Sequence, residues 1–275
     1  MTILVTGATG TTGSHVVTHL AEEGHPVRAL SRHPGAVRFP AGVEVVEGDL
    51  TRPDSLAAAL DGVTALHLIA IGGDDYTPLA TAPDVVDAAV RAGVKRITVL
   101  TGTDEELQVV RAVEASGLDW THVRPAAAFM ANRLQWADAV RETGVVRDGF
   151  VDRLDALVHE ADVGAVIATA LTEGGHAGRT YAPSGPEALS RTDNVRTIGE
   201  VIGRPVRLEA MSVAEVRAEM LANGVGPDVA DFVVGFEESP PAAASAVTSV
   251  VEDVTGRPPR SFRDWVAEHR DAFGG

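Results

Sequence analysis

Close to the amino terminus, Thr6-Gly7-Ala8-Thr9-Gly10-Thr11-Thr12-Gly13 spaces three glycines as G-x-x-G-x-x-G. That spacing suits the binding of a pyrophosphate. Gly7 permits a sharp turn, Gly10 lets the backbone approach the phosphates with no Cβ between, and Gly13 lets a helix pack tightly on the preceding strand. The free amides at such a helix start, with the positive end of its dipole, attract phosphate oxygens. Thr9, Thr11 and Thr12 add hydroxyl donors. A glycine triplet alone is weak evidence. Here the apolar run Ile3-Leu4-Val5 precedes it and a helical pattern over 13–23 follows, which is the strand–turn–helix context of a dinucleotide-binding turn.

The second run ends Leu30-Ser31-Arg32-His33, with no carboxylate to hold a ribose 2′-hydroxyl. Ser31 and Arg32 can instead bind a 2′-phosphate, which an acid would repel. The expected cofactor is therefore NADP(H) rather than NAD(H). Asp49, in Gly48-Asp49-Leu50, could accept from an adenine amino group or could simply close a turn. His159 and Asp162 share the i, i+3 spacing of metal ligands, but two ligands are too few, and acids in a first helical turn act as caps. No metal is expected. His67 lies in an apolar run and reads as a core histidine.

The elements that must position these groups alternate. Strands are expected at 3–5, 26–30, 43–46, 63–70, 96–100 and 120–123, with helical patterns at 13–23, 53–60, 83–92 and 105–115. Alternation of this length means βαβ units: an α/β, Rossmann-type doubly wound parallel sheet whose ligands sit at the carboxyl ends of the strands. The second half is less regular. Helices are expected at 161–171, 194–202, 213–222 and 261–273, a return strand at 179–181, a flexible break at 240–244, and a segment rejoining the sheet at 151–153. The expected division is a nucleotide-binding domain over 1–150 and a mostly helical substrate-cap region over 151–275 that returns partly to the sheet.

Of the 275 residues, 45% are hydrophobic and 4% aromatic, enough for a full core built of Ala, Val and Leu. The formal net charge of -16 disfavours nucleic acid and anionic membranes as partners. No apolar run reaches the roughly 18 residues of a membrane span, and no signal peptide is read at the start. The absence of cysteine excludes disulfides and fits a cytoplasmic setting.

These residues resemble the NmrA-like branch of the atypical short-chain dehydrogenase/reductases. The matching stretches are the glycine turn, Val27-Arg28-Ala29-Leu30-Ser31-Arg32-His33-Pro34, Gly48-Asp49-Leu50, Ala92-Gly93-Val94-Lys95-Arg96-Ile97, and Ser116-Gly117-Leu118-Asp119-Trp120-Thr121-His122-Val123-Arg124-Pro125. Gly178-Arg179-Thr180-Tyr181 and Ile202-Gly203-Arg204-Pro205-Val206 extend them. The resemblance makes Gly7, Thr9, Gly10, Thr11, Thr12, Ser31, Arg32, Asp49 and Leu50 adenosine and phosphate contacts. It makes Ala70, Ile71 and Gly72 the lining of the nicotinamide ribose. It implies NADPH-dependent reduction of ketones or quinones, while the family also holds NADP-binding regulators that do no chemistry.

The departure is as informative. Typical short-chain reductases use Tyr-x-x-x-Lys as proton donor. Here Tyr76 is followed at that spacing by Ala80, and Tyr181 by Gly185. The lysine or histidine that many NmrA-like members carry one helix before Ser116-Gly117 is replaced by Glu106. Proton sources left open are a hydroxyl (Thr101, Thr103 or Tyr76), water, or the substrate itself. A phenol beside the carbonyl, or a quinone, tolerates a missing acid. An aromatic ketone or quinone substrate is expected, as in actinomycete antibiotic-pathway ketoreductases of the simocyclinone type, and the Ala/Val/Arg/Gly-rich composition suits such a source. Phe129, Met130 and Trp136 could stack on a flat ligand or could form cap core, and Asn132 or Gln135 could bond a substrate oxygen. A silent NADP(H) sensor and an isomerase or epimerase remain alternatives, and the chain is read as a monomer or homodimer.

Overall fold

The computed structural model describes residues 1–73, 77–102 and 106–275. The apolar runs of the first half form β1 (Thr2–Val5), β2 (Val27–Ser31), β3 (Glu44–Glu47), β4 (Val63–Ile69), β5 (Arg96–Leu100) and β6 (Asp119–Val123), and β7 (Arg179–Tyr181) returns later. They build one sheet in the order β7-β6-β5-β4-β1-β2-β3. Every pairing is parallel. The order reverses at β1, so the crevice outside the carboxyl ends of β1 and β4 is the place for a ligand.

Helices α1 (Gly13–Glu22), α2 (Ala57–Leu60), α3 (Ala82–Ala92) and α4 (Leu107–Ala115) follow the early strands. Helix α5 (Ala137–Thr143) belongs to a second unit, and α6 (Glu160–Thr172) returns to the sheet. One face of the sheet is sealed by Leu4, Leu66, Leu68, Ile97 and Val99 against Val85, Val86 and Ala89 of α3 and Val109 and Val113 of α4. Helix α6 is buried nearly all round and packs with α1. Helix α3 ends where Gly93 takes φ +89°, as its glycine and the preceding Arg91 indicate.

The chain divides into two compact units. The first comprises 1–125, 160–183 and 250–257, and the second 126–159, 184–249 and 258–275. The expected boundary at 150 does not coincide with this division. Nor does 151–153 rejoin the main sheet: Val151 and Asp152 form a turn, and Leu154–Asp155 pairs antiparallel with Leu189–Ser190 in a sheet of its own. The strand that does return is Arg179–Tyr181, as the sequence indicates.

The second unit centres on Phe262, Trp265 and Phe273, packed with Met130, Trp136, Val195 and Ile198. Val145–Asp148 pairs parallel with Arg207–Ala210. Helices α7 (Arg191–Ile202) and α8 (Val213–Ala222) each start on a capping box, Ser190 with Asp193 and Ser212 with Glu215. Helix α9 (Pro227–Glu238) has no counterpart in the sequence reading. Its apolar residues point both ways: Ala230 and Val234 are buried, whereas Val229, Phe232 and Phe236 are exposed, so no single stripe marks it. The expected break at 240–244 is ordered, with a 3-10 turn at Ala242–Ser245 whose Ala244 carbonyl accepts from Ala156 N at 2.8 Å.

Candidate functional site

In the first unit the predicted cofactor residues lie at or just after the carboxyl ends of β1 to β4, and the parallel sheet brings those ends to one edge. Thr6 prepares the crevice: its hydroxyl accepts from Ile69 N at 2.9 Å and its amide donates to the His67 carbonyl at 3.0 Å. This residue ties β1 to β4 at the point of reversal, and the sequence reading passed over it. Gly10 N donates to the Gly7 carbonyl at 2.9 Å, closing the turn. A Cβ on Gly13 would lie 2.1 Å from the Gly7 oxygen, so only glycine lets α1 start there. A Cβ on Gly10 would meet that oxygen at 3.2 Å, a milder conflict. Gly10, Thr9 and Thr11 are exposed, whereas Thr12 is buried and turned inward. The first turn of α1 holds no acid, which leaves its dipole end available to an anion.

Beyond β2 and β3 lies a cavity of about 590 Å³, lined by Arg32, His33, Glu47, Asp49, Arg52 and Ser55 among others. Ser31 Oγ accepts from His33 N at 3.0 Å, and the Ser31 carbonyl accepts from Gly48 N at 3.1 Å, fixing the two strand ends together. Asp49 takes the turn role. Its Oδ1 accepts from Thr51 N at 2.9 Å and Thr51 Oγ1 at 2.8 Å. Slight burial opposes its charge, but the Thr51 donors and then Arg32 and Arg52 outweigh it and hold the carboxyl below its ordinary value. Leu50 is core, and its carbonyl accepts from Thr81 Oγ1 at 2.6 Å. Arg52 is a second guanidinium that the sequence reading did not single out. An open glycine turn beside a cavity carrying two arginines fits a dinucleotide with a phosphate on its adenosine ribose.

At the ends of β4 and β5 stand the remaining candidates. Ala70 is buried and its carbonyl accepts from Leu79 N at 2.9 Å, while Ile71–Gly72 pairs with Thr77–Pro78. Thr101 is buried, its amide bonded to the Val123 carbonyl at 3.0 Å. Glu106 is also buried, and its Oε2 accepts from Gly102 N at 2.7 Å. Tyr76 and Thr103 lie outside the described residues. Tyr181 sits on β7, with its hydroxyl 2.8 Å from His176 Nδ1. His67 is fully buried, Nδ1 against Thr98 Oγ1 at 2.9 Å, and burial pushes it down to about 3.

Residues 7–107 match a family model described as NAD(P)H-binding. Over 98% of this chain and 99% of the relative, the sequence is 40% identical to a (4-alkanoyl-5-oxo-2,5-dihydrofuran-3-yl)methyl phosphate reductase of Streptomyces griseus. Over 99% of each, it is 35% identical to an NAD(P)H azoreductase of Xenophilus azovorans. The chain belongs to the NAD(P)H-binding atypical short-chain dehydrogenase/reductases. A triphenylmethane reductase of Citrobacter sp., solved with NADP(H), has the same fold at a TM-score of 0.80 and 25% identity over 98% and 99% of the two chains. An NADPH-dependent quinone oxidoreductase of Escherichia coli, solved with NADPH, superposes at 0.79 with 25% identity over 98% and 100%. The chain is thus an NAD(P)H-dependent oxidoreductase.

The reductase places its other predicted residues in the second unit. Met130 and Trp136 are core there, and Trp136 Nε1 donates to Asp148 Oδ2 at 2.9 Å. Phe129 is half-buried and Asn132 exposed. The Arg133 guanidinium stacks over Trp136 at 4.7 Å, and burial, with Arg191 beside it, pulls Arg133 down to about 10. Among the described residues, no group of three or more acidic, histidine or cysteine side chains could hold a metal, and no helix is long and apolar enough to cross a membrane.

Proposed function

We propose that this reductase is a cytoplasmic enzyme that prefers NADPH and delivers hydride to a conjugated, electron-poor acceptor, an aromatic ketone or a quinone, with no tyrosine–lysine acid. The observation that carries the reading is the position of Lys95. It is the sole lysine of the sequence. It sits exposed just before β5, its amide bonded to the Thr64 carbonyl at 2.9 Å, at the amino edge of the sheet. The cofactor residues follow the carboxyl edge, so no tyrosine there can have its pKa lowered by a lysine.

Bound NADPH would supply the hydride. The chain's own part is to hold phosphates on the glycine turn, to select the 2′-phosphate through Ser31 and Arg32, and to fix the crevice through Thr6. An acceptor whose π-system spreads the incoming charge needs less help from an acid, and water or a hydroxyl on the substrate can complete the protonation. Thr101, Tyr76 and Asn132 are the side chains proposed to assist, with Phe129 as an apolar contact. The four relatives support this class, because their names carry an acyl-substituted unsaturated lactone, an azo group, a quinone and a triphenylmethane. An antibiotic-pathway ketoreductase is one member of the class.

The test is loss of reduced-nicotinamide absorbance against quinones, phenolic polycyclic ketones and isolated aliphatic ketones, with NADPH and NADH in parallel. Turnover of the conjugated acceptors alone, faster with NADPH, is expected. Equal rates with aliphatic ketones would refute the acceptor class. Tight NADPH binding with no turnover would favour a cofactor sensor.

A further inference from the structure

The second unit buries charge that the proposed reduction does not use. Arg153 and Arg191, with side chains 10% and 8% exposed, converge on a single oxygen. Glu237 Oε2 lies 2.6 Å from Arg153 Nη1 and 2.7 Å from Arg191 Nη2. Asp155 Oδ1 meets Arg153 Nη2 at 2.8 Å, and Asp148 Oδ1 faces Arg191 Nε at 3.3 Å. With Arg133, whose Nη2 is 3.9 Å from Asp155 Oδ2, the three guanidiniums face three carboxylates.

The charges balance and the hydrogen bonds do not. Nε and Nη1 of Arg153 and Nε of Arg191 are buried without a hydrogen-bond partner. Arg153 Nη1 and Arg191 Nε keep only ion-pair contacts, with Glu237 at 2.6 Å and Asp148 at 3.3 Å, and Arg153 Nε has neither kind of contact. Buried donors in this state are rare, and each calls for an acceptor. Phe150 is held at φ +51°, in the left-handed region, and its carbonyl accepts from Arg153 N at 2.9 Å and Arg191 Nη1 at 3.3 Å. A non-glycine residue held there is a form of strain that gathers at ligand sites. Glu237 rides on α9, which buries only Ala230 and Val234, and α8 beside it buries none of its residues.

We infer that Arg153 and Arg191 form a binding site for a small oxyanion, a phosphate monoester or carboxylate, and that Glu237 occupies it as an internal stand-in. Two guanidinium forks match the several oxygens of a phosphate far better than the one carboxylate oxygen they now share. Displaced, Glu237 regains solvation as α9 shifts outward, and the unmatched N–H groups gain acceptors. The oxyanion is either an acid group carried by the acceptor or a free anion. The inference concerns binding in the second unit and stands whether or not the acceptor class proposed above is right.

The test uses the full chain with saturating NADP⁺, which covers the phosphate-binding groups of the first unit. Wild type, Glu237→Gln, Arg153→Gln and Arg191→Lys are titrated with inorganic phosphate and phenyl phosphate, read by Tm and by tryptophan fluorescence. Glu237→Gln is expected to bind phosphate about tenfold more tightly than wild type and to recover its lowered Tm as phosphate is added. Arg153→Gln should lose the response. Arg191→Lys, which keeps the charge but not the fork, should weaken it and guards against a misfolded glutamine variant. A Glu237→Gln protein with no saturable response, or a response unchanged in both arginine variants, would overturn the inference. A lower KM for a phosphorylated quinone than for its parent would make the acceptor the source of the oxyanion. A Tm response with equal KM values would make it a free anion.

Discussion

The carboxyl edge of the sheet and the arginine cluster of the second unit handle charge in opposite ways. At the edge, Arg32 and Arg52 border an open cavity, and the turn beside it is shaped by what glycine lacks. In the cluster, guanidiniums and carboxylates are sunk together, with Arg133, Asp155 and Arg191 all under one-tenth exposed. The first region leaves cationic groups accessible to a partner from outside. The second carries its counter-ions within the chain, and so depends on every member being present.

Removing one member of the cluster should have the largest effect. Arg191→Met takes one cation from the half-buried Asp148 and Glu237, leaving Glu237 with Arg153 alone, and should cost about 3 kcal/mol in denaturant unfolding. A loss under about 1 kcal/mol would mean that the cluster is solvated and that the contrast is false. On the other side, Gly13→Ala drives a Cβ into the Gly7 carbonyl and should cost about 3 kcal/mol together with NADPH binding. Gly10→Ala sharpens the point: it should leave Tm nearly unchanged while weakening NADPH, since its Cβ meets less of the protein and more of the ligand.

His67 tests the apolar interior of the first unit. Burial holds its pKa at about 3 in the folded chain against 6.5 for a solvated imidazole, so the unfolded chain binds the extra proton between those values. Stability from this group is complete above pH 6.5 and falls as pH drops toward 3, by at most about 1.4 kcal/mol per pH unit. Urea unfolding at several pH values, wild type against His67→Gln, should show a flatter profile in the variant. The smallest effect concerns selection. Arg32→Ala and Arg52→Ala should each lower the NADPH-to-NADH affinity ratio by about tenfold with no change in Tm. Equal losses for both cofactors would assign these arginines to general field rather than to the 2′-phosphate.

The first unit was largely legible because its elements obey local rules. Strand runs, a proline-started α3 and the Gly7–Gly13 spacing each declare themselves within a few residues. Asp49 shows the limit: its spacing allowed either an adenine contact or a turn, and only the Thr51 donors decide what Oδ1 does. Thr6 and Arg52 were passed over because their roles depend on which strand ends become neighbours. In the second unit, α9 has apolar residues on opposing sides, and Arg133, Arg153 and Arg191 look like ordinary surface residues in a linear reading. Their burial arises from pairing with Asp148, Asp155 and Glu237, which are distant in sequence. The capping boxes of Ser190 with Asp193 and Ser212 with Glu215 were not singled out, and α7 begins at Arg191 rather than at the expected 194.

The lone lysine has a practical meaning. With no cysteine and one ε-amine, the side chains offer amine-directed coupling a single address, at the amino edge of the sheet. A resin or electrode that captures Lys95 would hold the molecule at the amino edge of the sheet, with the glycine turn on the opposite edge facing the solution.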